Sequence, residues 1–267
     1  MDHNLILILK VTAIIQARMQ STRLPGKVLL PLPQPNGKII LQHIVNQVTK
    51  SNEVNAIVIA IPEGEADKIL WEKANNIEGI TGVVRGSEEN VLQRFLDAAS
   101  LYPSDYIVRL TGDNPLVDAS VVDEAIMFMK KNPSVDYVYT SGLPLGLGVE
   151  VVKVNALKAS INLPDLNDTD KEHVTCSVHL RPHIFNVEDL ALNNLWDNSI
   201  NARFTLDTYE DYIFLNAVFY GMNLNNYPFD IEHLKKLLQQ APWMVEINRH
   251  VKQNPNLYLL SKQNLSS

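Results

Sequence analysis

The stretch that decides the fold is Val11-Thr-Ala-Ile-Ile-Gln-Ala-Arg-Met-Gln-Ser-Thr-Arg-Leu-Pro-Gly-Lys-Val28, an apolar run followed at once by a basic loop. Residues 11–17 are apolar and rich in β-branched side chains, which predicts a fully buried β-strand. Pro25 and Gly26 then bend the chain, so that no regular helix can continue. Ligands of open α/β sheets bind beyond the carboxyl ends of the strands, where this loop begins. The stretch therefore predicts an α/β sheet with a ligand-binding loop at its edge.

The polar side chains of this loop suit a polyphosphate. They are three cations and two hydroxyls: Arg18, Ser21, Thr22, Arg23 and Lys27. Guanidinium forks, an ammonium point charge and backbone N–H groups all bind phosphate oxygens. The loop is neither a Walker loop nor a dinucleotide fingerprint, because both need more than the single glycine that residues 16–27 contain. The alternative is a basic loop that is merely solvated. Because the loop lies directly after a core strand, we favour anion binding.

Composition restricts the class of protein. Of the 267 residues, 46% are hydrophobic, enough for a sizeable core, and the formal net charge is −7. Nucleic-acid-binding domains are usually basic, so we expect no nucleic-acid partner. The single cysteine, Cys176, excludes an internal disulfide. The apolar run at residues 5–9 is too short for a membrane span or a signal peptide, so we expect a cytoplasmic protein without a membrane partner.

Strands and helices alternate four times in the first half of the chain. Buried strands are predicted at residues 11–17, 56–61, 82–85 and 105–110. Helices are predicted at residues 38–50 and 65–76, from a cap at Ser87 through residue 99, and from Asp118 onward. This alternation produces right-handed βαβ units and a largely parallel sheet.

The rhythm changes after Val135. Further strands are predicted at residues 137–139, 149–154 and 201–206, with another possible at 183–187. Thr169 to Glu172 reads as a capping box that begins a helix, Thr208 as the cap of a long helix, and residues 231–238 as a last helix.

Two acids are predicted to lie at the same sheet edge as the basic loop. Asp113 follows the fourth strand, in Arg109-Leu-Thr-Gly-Asp-Asn-Pro115, and Asp207 follows the strand predicted at 201–206. Mg²⁺ takes few protein carboxylates and completes its shell with water and substrate phosphates. Each aspartate alone could be a turn or cap residue, but together with the basic loop they predict a magnesium site.

Six segments, taken together, resemble the signature of the CMP-sugar synthetases: residues 16–27, 85–94, 109–115, 146–150, 172–175 and 203–211. These are the cytidylyltransferases for acylneuraminate and for 3-deoxy-manno-octulosonate. The most similar branch is the one named for spore coat polysaccharide biosynthesis protein F. Because the segments occur in the family's order over roughly residues 11–220, the resemblance is more specific than any one motif.

The resemblance implies a nucleotide-diphospho-sugar transferase fold of the GT-A-like type, a three-layer α/β/α sandwich around a mostly parallel mixed sheet. It implies one domain over residues 1–267, with a nucleotide-binding part at about 11–133, an acceptor-binding and dimerisation part at about 134–225, and a helical C-terminal tail at 226–267. A homodimer is the implied assembly.

The resemblance also implies roles for individual residues. The nucleotide-binding residues would be Gln16, Ala17, Arg18, Ser21, Thr22, Arg23, Lys27, Arg85 and Gly112. The acceptor would face Glu150, Glu172 and His173. Asp113 and Asp207 would hold Mg²⁺, and these two acids would form the catalytic set together with Arg18 and Lys27.

The implied activity is transfer of CMP from CTP to a sugar, sugar acid or sugar-phosphate-like acceptor, with release of pyrophosphate, for a surface polysaccharide such as a spore coat. Gly148, Lys171 and Asn114 depart from the family pattern on the acceptor side or beside the metal, so the acceptor stays open. Two alternatives also stay open. One is a glycosyltransferase of the same fold with a nucleotide-sugar donor, although residues 113–115 lack the usual Asp-x-Asp. The other is a non-catalytic CTP-binding protein.

Overall fold

The structure, a computed structural model, describes residues 9–252. Nine strands occur among them: β1 (Val11–Gln16), β2 (Pro31–Leu32), β3 (Lys38–Ile39), β4 (Ala56–Pro62), β5 (Gly82–Gly86), β6 (Tyr106–Thr111), β7 (Tyr137–Ser141), β8 (Glu150–Lys153) and β9 (Val187–Ala191). The α-helices of the same residues are α1 (Ile40–Val48), α2 (Lys68–Ala74), α3 (Val91–Leu101), α4 (Ala119–Lys131), α5 (Val154–Ser160), α6 (Asp168–His173), α7 (Cys176–His179), α8 (Tyr209–Leu224) and α9 (Ile231–Gln240). Part of the apolar run at residues 5–9 and the end of the predicted tail, residues 253–267, lie outside the described residues.

Seven strands form one mixed sheet in the order β5-β4-β1-β6-β8-β7-β9. β1 is the third strand in this order and pairs in parallel with both β4 and β6. β8 is antiparallel to its neighbours β6 and β7, and the other six strands run in one direction. The carboxyl ends of β1 and β6 therefore meet at one edge, as the sequence predicted.

Apolar cores cover both faces of the sheet. Because side chains alternate along a strand, Ala13 and Ile15 of β1 face one core and Ile14 faces the other. The first core is completed by α1, α4, α8 and α9, and the second by α3, α5 and α7. This confirms the predicted α/β fold with helices on both faces of a mostly parallel sheet. Within residues 9–252, no helix is both long and apolar enough to cross a bilayer.

The strand predicted at residues 201–206 is wrong. This segment is an extended loop that joins no sheet, although Phe204 and Leu206 are fully buried. It is held by single bonds, from the Phe204 N–H to the Leu145 carbonyl (2.7 Å) and from the Leu206 N–H to the Asp113 carbonyl (2.8 Å). The apolar pattern indicates that the segment is buried, but it does not distinguish a buried loop from a paired strand. The strand expected at 183–187 begins only at its last residue and runs over β9.

Two predicted helix starts are also wrong. The cap of α3 is Asn90, whose side chain accepts the Gln93 N–H (3.0 Å), while Ser87 only braces the turn before it. The capping box before α6 pairs Asn167 with Asp170, rather than residue 169 with residue 172. In both cases a nearby asparagine outcompetes the hydroxyl, since asparagine caps helices at least as well. The cap at Thr208 is confirmed.

Candidate active site

The basic loop leaves the carboxyl end of β1 and closes on itself. Gly26 has a φ of 71°, a left-handed conformation that favours glycine, and its N–H donates to the Met19 carbonyl (2.8 Å). The Met19 N–H in turn donates to Oδ1 of the fully buried Asp67 (2.6 Å). These bonds fix the bend of the loop and attach it to the segment after β4.

A cleft of about 640 Å³ lies against this loop. Its lining residues come from the loop and from one turn beyond β5: Arg18, Met19, Gln20, Ser21, Thr22, Pro25, Gly26 and Glu88. Three of the predicted nucleotide-binding residues therefore share one cavity. Its volume lies within the range of about 300–1,000 Å³ that small-molecule sites usually have.

The end of β6 approaches the end of β1 closely at Gly112. Its N–H donates to the Gln16 carbonyl (2.8 Å). A Cβ atom added at this position would lie 3.1 Å from both the Ala17 Cβ and the Gln16 oxygen, tighter than most packed contacts. Glycine therefore lets the chain after β6 press against the start of the basic loop. This close approach brings Asp113 to the loop.

The structure brings the two predicted acids together around Lys27. The Lys27 ammonium lies 2.8 Å from Asp113 Oδ2 and 3.2 Å from Asp207 Oδ1, so these two oxygens are at most 6.0 Å apart. It also donates to the Leu206 carbonyl (2.6 Å). Although residues 201–206 form no strand, the extended loop delivers Asp207 to the sheet edge where the sequence placed it.

Asp207 is surrounded by cations. Its second carboxylate oxygen, Oδ2, accepts a hydrogen bond from Arg203 Nη2 and forms an ion pair with Arg23 Nη2, both at 3.0 Å. Burial alone would raise the pKa of Asp207, but the charges of Lys27 and Arg23 outweigh it and lower the pKa below its usual value. Asp207 is therefore an ionised carboxylate at neutral pH.

A buried acid that the sequence analysis missed supports Asp207 from behind. Asp211 in α8 is fully buried and accepts from Arg203 Nε (2.9 Å), from Asn248 Nδ2 (2.9 Å) and from the backbone N–H groups of Asp207 (2.9 Å) and Thr208 (3.0 Å). Its three-residue spacing from Thr208, typical of a capping box, was the available signal. Asp211 fixes both the guanidinium and the backbone that position Asp207.

Asp113 has a separate support on the β6 side. The Thr111 hydroxyl donates to Asp113 Oδ1 (2.6 Å), and Asn114 Nδ2 donates to the Thr111 hydroxyl (2.9 Å). No group of three or more His, Cys, Asp or Glu side chains that could hold a metal occurs within residues 9–252. The donor set at this edge is a pair of carboxylates that already share one cationic partner. That set fits Mg²⁺, which needs few protein oxygens when phosphates supply others.

The predicted acceptor residues lie beside the basic loop. Glu150 in β8 pairs with Arg109 (3.2 Å) and accepts from the Thr175 hydroxyl. The exposed Glu172 lies 3.5 Å from Arg18 and so connects the end of α6 to the loop. Burial and then the charge of Arg109 lower the pKa of His173, which is neutral at pH 7.

Arg85 lies apart from this group. Its guanidinium donates to the carbonyls of Glu63 and Gly64 and lies 5.6 Å from the centre of the Trp71 ring. It does not line the cleft. Of the arginines in segment 85–94, the buried one is Arg94, which the sequence analysis did not single out.

Arg94 is 2% exposed and donates to the Ser87 carbonyl (2.6 Å), while its Nε has no partner among the described residues. Burial, followed by the charge of Arg18, lowers the pKa of Arg94 to about 10. It lies under the turn that carries Glu88 to the cleft. Arg94 lies on the buried face of α3, and this position could have indicated burial; its charge made an exposed position the ordinary expectation.

Comparison with known proteins gives a consistent family. A family model described as cytidylyltransferase matches residues 12–262. The chain is 40% identical over 207 residues to spore coat polysaccharide biosynthesis protein SpsF of Bacillus subtilis, covering 77% of this chain and 85% of that protein. It is 33% identical over 127 residues to a 3-deoxy-manno-octulosonate cytidylyltransferase of Geobacter sulfurreducens, covering 48% of each chain.

Among solved structures, a cytidylyltransferase from Leptospira borgpetersenii superposes with a TM-score of 0.76 at 27% identity, covering 92% of this chain and 100% of that one. The predicted family and fold are confirmed, and with them the predicted enzyme class, a nucleotidyltransferase. The chain belongs to the cytidylyltransferase family.

Proposed function

We propose that the protein transfers CMP from CTP to a sugar-like acceptor and releases pyrophosphate, in the synthesis of a surface polysaccharide. The observation that carries this proposal is the convergence of Lys27, Asp113 and Asp207 at the sheet edge from which the basic, cleft-forming loop leaves. A polyphosphate needs cations on one side and its metal needs carboxylates on the other. The sheet edge offers both within one cluster.

Three cations of the loop are suited to the triphosphate. Arg18 lines the cleft and is half-exposed, so its guanidinium can contact a ligand there without a rearrangement of the backbone. Arg23 and Lys27 do not line the cleft; they lie beside Asp207. Ser21 and Thr22 add hydroxyl donors along the same wall. Gln16, Ala17 and Gly112 bring the backbone of β1 and β6 close enough to border the nucleotide.

Asp113 and Asp207 are the residues that would hold Mg²⁺. When bound, the ion neutralises phosphate charge and polarises the phosphoryl group that is attacked. Arg23, Arg203 and Asp211 hold Asp207 in place, while Thr111, itself bonded by Asn114, holds Asp113. In the proposal, the chain's own contribution is to place the triphosphate rather than to form a covalent intermediate.

The chemistry is an in-line displacement. An acceptor oxygen attacks the α-phosphorus of CTP, the bond from that phosphorus to the bridging oxygen breaks, and pyrophosphate leaves with the electron pair. Positioning and charge stabilisation dominate such reactions. Arg18, Arg23 and Lys27 stabilise the negative charge that builds on the leaving pyrophosphate.

The acceptor would enter from the side of β8 and α6. Glu150, Glu172 and His173 are the polar groups there that the resemblance assigns to it, and the contact of Glu172 with Arg18 supports an acceptor site next to the proposed triphosphate site. We also retain two further parts of the proposal: a homodimer, whose contact uses part of the region formed by residues 146–150 and 172–175, and a cytoplasmic location.

Pyrophosphate release tests this function. CTP, UTP, ATP and GTP are each offered with Mg²⁺ and a panel of sugar acids, sugar phosphates and neutral sugars. We expect release with CTP and one acceptor class, and none with Asp113→Asn. Turnover of a nucleoside diphosphate-sugar without pyrophosphate would establish the glycosyltransferase instead, and CTP binding without turnover on any acceptor would establish the non-catalytic alternative.

A further inference from the structure

The Lys27 ammonium is fully hydrogen-bonded within the protein. It has three hydrogens, and the structure gives it three oxygen partners: Asp113 Oδ2 at 2.8 Å, Asp207 Oδ1 at 3.2 Å and the Leu206 carbonyl at 2.6 Å. The side chain is 11% exposed. A lysine whose role is only to bind phosphate does not need three partners within the protein.

A metal held by both acids would draw on the two oxygens that Lys27 contacts, Asp113 Oδ2 and Asp207 Oδ1. A lysine ammonium between the carboxylates and a divalent cation between them exclude each other, because both would claim the same two oxygens and repel each other at that distance. The other cations of the site do not compete in this way. Arg23 and Arg203 bind Asp207 at Oδ2 and leave Oδ1 to Lys27.

We propose that Lys27 is the internal counter-ion of the Asp113–Asp207 pair, and that the triphosphate draws it away, so that metal and nucleotide enter the site together. This rests on the function proposed above. With Lys27 between the acids, a metal that binds alone must displace the ammonium while no phosphate is present to bind it. Phosphate oxygens give the ammonium new partners, and the two carboxylates are then released to the metal.

The expected consequence is a positive coupling between metal and CTP binding. Each ligand raises the affinity of the other by the same factor, since coupling is reciprocal at equilibrium. Part of that factor comes from direct contact between metal and phosphate, which any nucleotide site has. The part contributed by Lys27 is separable, because removing its charge should strengthen binding of the metal alone.

The test is isothermal titration of Mn²⁺ into the wild type, Lys27→Met, Lys27→Gln and Lys27→Arg, with and without a CTP analogue whose α–β bridge is a methylene group. Lys73→Met is the matched control, because Lys73 is an exposed lysine in α2, outside the site. We expect the two neutral variants to bind Mn²⁺ alone about 10- to 100-fold more tightly, the range that one charged hydrogen bond supplies. The analogue should then raise their metal affinity by a correspondingly smaller factor.

Lys27→Arg keeps the charge and should keep weak binding of the metal alone, and Lys73→Met should match the wild type. Unchanged or weaker Mn²⁺ binding by both neutral variants overturns the inference, as does wild-type protein that binds Mn²⁺ equally well with and without the analogue. Glutamine can still donate to the Leu206 carbonyl, so Lys27→Gln covers the case in which Lys27→Met fails to fold. Failure of the wild type to bind the analogue at all would instead contradict the proposed function.

Discussion

Replacing Asp211 by asparagine should weaken the fold and the site together. Asp211 is fully buried, and its carboxylate neutralises Arg203 and accepts two backbone N–H groups at the start of α8. Asparagine has nearly the same shape but loses the charge and turns an N–H₂ group towards donors. The change therefore removes the charge and part of the hydrogen bonding at an almost unchanged side-chain volume.

The size of the effect follows from the contacts that remain. Breaking a buried ion pair costs about 3–5 kcal/mol, mostly because the remaining charge is left without a partner. Arg203 would keep its bond to Asp207 (3.0 Å), so we expect the lower end, about 3 kcal/mol. Since whole domains are stable by about 5–15 kcal/mol, this is a large fraction of the total.

Urea unfolding at neutral pH measures this loss. Glu246→Gln is the matched control, because it removes the charge from an exposed pair with Arg249, 58% and 62% exposed, and should cost below about 1 kcal/mol. Asp211→Asn should also weaken binding of Mg²⁺ and CTP, since the Asp207 backbone loses its acceptor. An Asp211→Asn protein as stable as Glu246→Gln would refute the role assigned to this network.

Three further predictions concern the site itself. Gly112→Ala should cost about 1–3 kcal/mol of stability and weaken CTP binding, because its new methyl group would force β6 away from Gln16; urea unfolding and calorimetry check both. Arg18→Met should weaken CTP binding at least about tenfold, the loss of one charged hydrogen bond, with little change in melting temperature, whereas Arg85→Met should weaken CTP binding far less, given the contacts of Arg85 outside the cleft. Burial raises the pKa of Asp207, but the neighbouring cations outweigh burial, and the net pKa lies below the ordinary value of 3.8. The contribution of Asp207 to stability is therefore complete above pH 3.8 and is lost as the pH falls below it. The difference in unfolding free energy between the wild type and Asp207→Asn should therefore stay constant above about pH 5 and narrow as the pH falls through about pH 4 and below.

The parts of the fold that were predicted correctly are those where local pattern and tertiary role agree. The run from Val11 is buried on both sides because it is an interior strand of the sheet, and a buried interior strand is continuously apolar. The bend at Gly26 follows from a left-handed backbone that glycine adopts readily. The convergence of Asp113 with the basic loop follows from parallel strands, whose carboxyl ends share an edge.

The parts that were missed depend on contacts between distant segments. Residues 201–206 carry the composition of a strand, and only the bonds to Leu145 and Asp113 show that they form a docked loop. Arg94 and Asp211 are charged residues on buried helix faces, where hydrophobic periodicity has no means of assigning them a role. The position of Lys27 between the two acids depends on a loop, a strand end and the start of α8 at once.

The decisive experiment is calorimetric titration of the wild type, Asp113→Asn and Asp207→Asn with Mg²⁺ and CTP, with UTP, ATP and GTP as competitors. We expect CTP to bind the wild type selectively in the presence of Mg²⁺ and, at about a hundred times its dissociation constant, to add about 2.7 kcal/mol to its stability. Both variants should lose most of this gain. A wild type that is indifferent to all four nucleotides, or variants that bind CTP and Mg²⁺ as well as the wild type does, would contradict the proposed triphosphate and metal site.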